Sequence, residues 1–75
     1  MVITVVSKLR EVRERQNKSI SQISRDTGIA RSSIQQYERI EGDHPRLDNA
    51  FLLAHYLNVR LDELFVPVVD QRRAS

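Results

Sequence analysis

Apolar residues recur at helical spacing along most of this chain. Val5, Leu9 and Val12 follow one another at four and three positions, which makes a single stripe and predicts a helix from near Thr4 to Gln16. Thr4 is its N-cap candidate, with Met1–Ile3 extended before it. A competing reading takes Val2–Val6 as a strand, because β-branched side chains dominate there. Ser19 followed three residues later by Gln22 matches a capping box. It opens a second helix over about Ile20 to Thr27, with Ile20 and Ile23 facing inward. Gly28 ends that helix, as a residue able to take a left-handed conformation. A third helix covers about Arg31 to Arg39. On it Ala30, Ile34 and Tyr37 share one side, while Ser32, Gln36 and Arg39 lie roughly opposite and Arg31 and Gln35 flank them.

Turn chemistry at Gly42-Asp43 and Pro45 marks the loop Ile40–Arg46. A fourth helix is predicted from about Leu47 to Leu57, its core stripe being Leu47, Ala50, Phe51, Ala54 and Leu57, with Asn58 as C-terminal cap. A short fifth helix, Leu61 to Phe65, has Leu64 inward and is stopped by Pro67. The apolar stretch Val66–Val69 then reads as extended. The expected fold is all-α, a compact five-helix bundle over residues 1–66, with 67–75 an extended C-terminal tail.

The chain has 75 residues, room for one small domain. It has no cysteine, so neither a disulfide framework nor a thiolate zinc site is available. His44 and His55 lack the spacing of a metal pair, and neither metal nor cofactor is expected. No apolar run approaches a membrane span, and the opening MVITVV is too short and lacks the basic flank of a signal peptide, so a cytoplasmic location is expected. An enzyme is not expected either. There is no cysteine nucleophile, no glycine-rich phosphate loop and no Ser-His-Asp set, and Asp43, Asp48, Asp62 and Glu63 are scattered over separate elements.

Net charge is only +2, but it is unevenly spread. Residues 1–39 hold eight Lys/Arg against four acids, whereas residues 40–75 hold four Arg against six acids. A polyanion meets the N-terminal half first. The outer face of the third helix offers hydroxyls, amides and arginines rather than the usual Glu/Lys mixture. Arginine can bond bidentately to guanine and glutamine to adenine, so these groups suit base edges.

The chain resembles the phage-repressor/Cro type of helix-turn-helix domain, the XRE or lambda-repressor-like family. The resemblance is carried by Ser19, Ile23, Gly28, Ile29, Ile34, the Tyr37-Glu38-Arg39 triplet, Pro45, Ala54, Leu57 and the run Val59 to Phe65. It implies that the second and third helices form the helix-turn-helix and that the third reads the major groove. The base-reading positions it implies are Arg31, Ser32, Gln35 and Gln36. The implied phosphate contacts are Ser19 and Ser21 at the start of the second helix, Ser33 and Arg39 on the third, and Asp43, His44 and Arg46 in the loop beyond, with Arg10 and Lys18 as further cations. Arg46 is the foremost of these. An Arg13–Glu38 pair is implied as a brace between the first and third helices, with Gly28 setting the bend. Ile20 and Ala30 depart from the pattern, which commonly has glutamine and a capping hydroxyl there.

The implied partner is double-stranded DNA, a palindromic operator bound by a homodimer, and the implied role is a transcription repressor of bacterial or phage origin. An antitoxin-like module of the same fold, whose main partner is another protein, is the alternative. Leu52 and Tyr56 lie four residues apart, opposite the expected core stripe, and with Val59 they form the candidate dimer patch. Val66–Val69 offers a second route, pairing as a strand with its counterpart in another subunit or with Met1–Val6. Pro67 has no amide hydrogen and restricts such pairing to an edge.

Overall fold

The computed structural model describes residues 2–39 and 45–70. It runs β1 (Val2–Ser7), α1 (Leu9–Arg15), α2 (Ile20–Thr27), α3 (Arg31–Tyr37), α4 (Leu47–Tyr56), α5 (Leu61–Leu64) and β2 (Phe65–Asp70). The five expected helices are present, but the expectation of an all-α fold is corrected by a two-stranded antiparallel sheet. β1 pairs with β2 from Val2↔Asp70 through Val5↔Pro67 to Ser7↔Phe65. The boundary expected at residue 66 falls inside β2.

The strand replaces about the first turn of the expected first helix. Five consecutive residues, Val2 to Val6, are Val, Ile or Thr, whose branched side chains lose rotamer freedom in a helix and fit a pleated surface. The equally apolar segment after α5 supplies a partner strand. Ser7 fixes the changeover to helix, its Oγ accepting from the Leu9 N–H at 3.3 Å while donating to the Tyr37 carbonyl at 2.5 Å. Lys8 N–H then bonds the Leu64 carbonyl at 2.8 Å, tying the start of α1 to the end of α5.

Helix ends obey local backbone chemistry. Asn17 and Asn58 both take positive φ, 57° and 58°, just past α1 and α4. At each, paired bonds close a Schellman motif: Lys18 N–H to Arg13 O with Asn17 N–H to Glu14 O, and Val59 N–H to Ala54 O with Asn58 N–H to His55 O. Ser19 accepts from the Gln22 N–H at 3.0 Å, the serine half of the expected capping box. The first-turn carboxylate of α5, Glu63, accepts from the Arg60 N–H at 2.8 Å.

The core gathers Leu9 and Val12 of α1, Ile23 of α2, Ile34 and Tyr37 of α3, and Leu64 and Phe65 at the chain's return. On α4 the buried positions are Ala50, Leu53, Ala54 and Leu57. The expected inclusion of Leu47 and Phe51 is therefore corrected: they are 68% and 55% exposed, while Leu53 is fully buried. α4 carries apolar residues around most of its circumference, so periodicity alone left its rotation open. Residues 50, 53, 54 and 57 recur at helical spacing and form the buried face of a helix that packs against α2 and α5.

Candidate nucleic-acid interface

The bend between α2 and α3 is held by a compact set of bonds. Gly28 has φ +81° and donates its N–H to the Ser24 carbonyl at 2.8 Å, a left-handed helix cap. Thr27 Oγ1 donates to the Ile23 carbonyl at 2.7 Å and accepts from the Ile29 N–H at 3.2 Å, so one hydroxyl clasps both sides of the turn. Ile29 is buried just beyond it, and the chain enters α3 through Ala30, which contributes no side-chain cap.

α3 is anchored at its far end. Ile34 is fully buried and Tyr37 nearly so, with the Tyr37 hydroxyl accepting from Asn49 Nδ2 at 3.1 Å. Arg13 reaches Glu38 through Nε–Oε2 at 2.5 Å and Nη2–Oε1 at 3.3 Å, and its third nitrogen donates to the Lys18 carbonyl at 3.1 Å. Both side chains are largely buried, 14% and 10% exposed. A bidentate, desolvated pair of this kind fixes orientation as well as distance.

With those anchors inward, Arg31, Ser32, Gln35 and Gln36 are exposed on α3, as is Arg39 just past it, and Ser33 is half-buried. Arg31 Nη1 lies 3.2 Å from Ser21 Oγ, which links the starts of α3 and α2 across the turn. Ser19 and Ser21 are both exposed at the opening of α2.

The other cations are spread out. Arg10 pairs with Glu14 at 3.2 Å on the outer face of α1, and Arg46 with Asp48 at 3.3 Å at the start of α4, all four side chains well exposed. Such pairs cost little to exchange for another anion. Lys18 Nζ sits 5.0 Å from the centre of the Tyr56 ring. Asp43 and His44, with the turn at Ile40 and Gly42, lie outside the described residues.

Of the three dimer candidates, Leu52 is 39% exposed, whereas Val59 packs against the core. Tyr56 is engaged within its own chain: its hydroxyl donates to Asp26 Oδ2 at 2.5 Å, joining α4 to α2. That bond to a carboxylate, with burial and the nearby negative charge adding to it, holds the phenol above its ordinary pKa. Sequence reasoning missed Ser7, Thr27, Asp26 and Asn49. Of these only Thr27, a hydroxyl directly before a helix-ending glycine, carried a local signal; the rest depend on contacts between distant segments.

Among the described residues, no group of three or more His, Asp or Glu side chains could hold a metal ion, and no helix is long and apolar enough to cross a membrane. No curated protein matches the chain. The family model described as helix-turn-helix (HTH_3) matches residues 9–64, from the first residue of α1 to the last of α5. With a bend and an exposed polar helix at its centre, the chain belongs to the lambda-repressor-like helix-turn-helix family of DNA-binding regulatory domains.

Proposed function

We propose that the protein is a sequence-specific regulator of transcription, a repressor that lays α3 in the major groove of double-stranded DNA. The observation that carries this reading is the division of α3: Ile34 and Tyr37 are buried, while Arg31, Ser32, Gln35 and Gln36 are exposed together. Those four are the base-reading set, with Arg31 matched to guanine and Gln36 to adenine. Ser19, Ser21, Ser33, Arg39, Arg46 and the more distant Arg10 and Lys18 are assigned to phosphates, which set register and affinity without reading sequence. Asp43 and His44 complete that proposal from the loop after α3. A cytoplasmic location follows from the same reading.

One such helix reads too few base pairs to define a site alone. Two copies on a palindrome, with half-sites about one helical turn apart, supply the remainder.

Selection of bound sites from random duplexes tests this reading. Gln36→Ala should relax one base position by about 1–3 kcal/mol of discrimination. Arg46→Ala should weaken every site alike and lower the salt dependence by about one phosphate. An unchanged motif with Gln36→Ala would remove Gln36 from the reading face.

A further inference from the structure

The β1–β2 ribbon has two edges of unequal character. Lys8 N–H bonds the Leu64 carbonyl, one step beyond the Ser7↔Phe65 pair. Hydrogen-bonded and non-hydrogen-bonded pairs alternate in an antiparallel ladder, so the even-numbered β1 residues bond β2 and the odd-numbered ones do not. The N–H and C=O of Ile3 and Val5 therefore point away from β2. Among the described residues, no backbone bond outside the helices and the ladder uses them. On the opposite edge the same alternation turns Pro67 outward, where its missing N–H blunts the edge. β1 has no such device: Val2 to Ser7 contains no charge and no proline. Edge strands that stay single usually carry one.

The same register sorts the side chains. Ile3, Val5, Pro67 and Val69 share a face. Val5 and Pro67 line an open apolar groove with Leu47 and Leu61, and Ile3 and Val69 continue it outward, 61% and 43% exposed. The charged residues of the groove, Arg60 and Asp62, are one of each sign. A contact about a twofold axis must be self-complementary, and a cation beside an anion meets that condition.

We propose that β1 is the self-association edge: two copies pair their β1 strands antiparallel about an axis at Thr4, forming a four-stranded sheet with Ile3 of each opposite Val5 of the other. That register satisfies the outward N–H and C=O of Ile3 and Val5 in both copies. It also joins odd-numbered positions to odd-numbered positions, so the two apolar faces merge into one. The contact passes by Leu52, Tyr56 and Val59 of α4 and its end. It rests on the proposed function only for its purpose, a pair of reading helices, and it is measured without DNA.

Sedimentation equilibrium of the whole chain should show a dimer in the micromolar range. Ile3→Pro copies on β1 the block that Pro67 makes on β2, and Thr4→Lys sets like charges against each other at the axis. Each should weaken pairing by at least about tenfold, with helical circular dichroism unchanged. Because the chain has no cysteine, Thr4→Cys should give a disulfide-linked dimer on mild oxidation, whereas Val68→Cys, displaced to the outer strand, should remain largely unlinked. A wild-type monomer throughout that range, a dimer untouched by both Ile3→Pro and Thr4→Lys, or equal crosslinking at positions 4 and 68 would overturn the proposal. The Gln36→Ala site selection reads α3 independently, so the two readings fail separately.

Discussion

Arg13 and Glu38 lie 25 positions apart in sequence and meet through two parallel hydrogen bonds, with the remaining guanidinium nitrogen on the Lys18 carbonyl. Three segments thus converge on one side chain: α1, the turn before α2 and the end of α3. The pair holds the far end of the exposed helix, while Gly28 and Thr27 hold the near end.

Arg13→Ala should strand the Glu38 carboxylate in a site that is mostly dry, and should cost about 2–4 kcal/mol in urea unfolding. Arg13→Lys should recover little, since an ammonium cannot present the same planar fork to two carboxylate oxygens and a carbonyl. Full recovery by lysine would show that charge alone, not bidentate geometry, holds α3.

The cost of a side chain at Gly28 separates backbone strain from crowding. A Cβ there would meet nothing within 4 Å, so only the positive φ opposes it. Gly28→Ala should destabilise by about 1–2 kcal/mol. Gly28→Asn should cost clearly less, because asparagine tolerates this conformation, as Asn17 and Asn58 do in the same chain. Equal losses for both variants would point to a steric cause instead.

The rotation of α4 has an equally direct check. Leu53→Ala empties a fully buried position and should cost about 2–5 kcal/mol. Phe51→Ala removes a larger side chain that is more than half exposed, and its effect on stability should stay within about 0.5 kcal/mol. A reversed order would restore the orientation that sequence periodicity favoured.

What sequence could and could not reveal follows the range of the interactions. Ser19, Gly28 and Asn58 act on amides within a few residues, and their roles were legible from neighbours alone. The polar outer face of α3 was legible because Ile34 and Tyr37 leave only one side for burial. The start of α1 was not: Val5 fits a helical stripe with Leu9 and Val12, and only the presence of β2, sixty positions on, decides for a strand. α4 was ambiguous for a different reason, since Leu47, Phe51, Leu52 and Leu53 offer apolar faces in several directions. The bonds Ser7–Tyr37, Asn49–Tyr37 and Tyr56–Asp26 join segments that only the folded chain brings together.

Tyr56 and Asp26 give a prediction in pH. The phenol donates to the carboxylate only while protonated, and the folded protein holds its pKa above the ordinary 10.0. A group whose pKa is raised on folding contributes stability that is complete below its unfolded value and is lost as pH rises through the folded one. Tyr56→Phe should therefore lower stability near neutral pH by about 1 kcal/mol, the bond being partly open to solvent. The difference between variant and wild type should then shrink as pH climbs above the unfolded value, where ionised Tyr56 and Asp26 repel each other. The contact of Lys18 with the ring survives in phenylalanine and so largely cancels from the difference. Urea unfolding of both proteins from neutral to strongly alkaline pH measures the difference directly. A gap that stayed constant throughout would mean that the hydroxyl is not donated to Asp26 in solution.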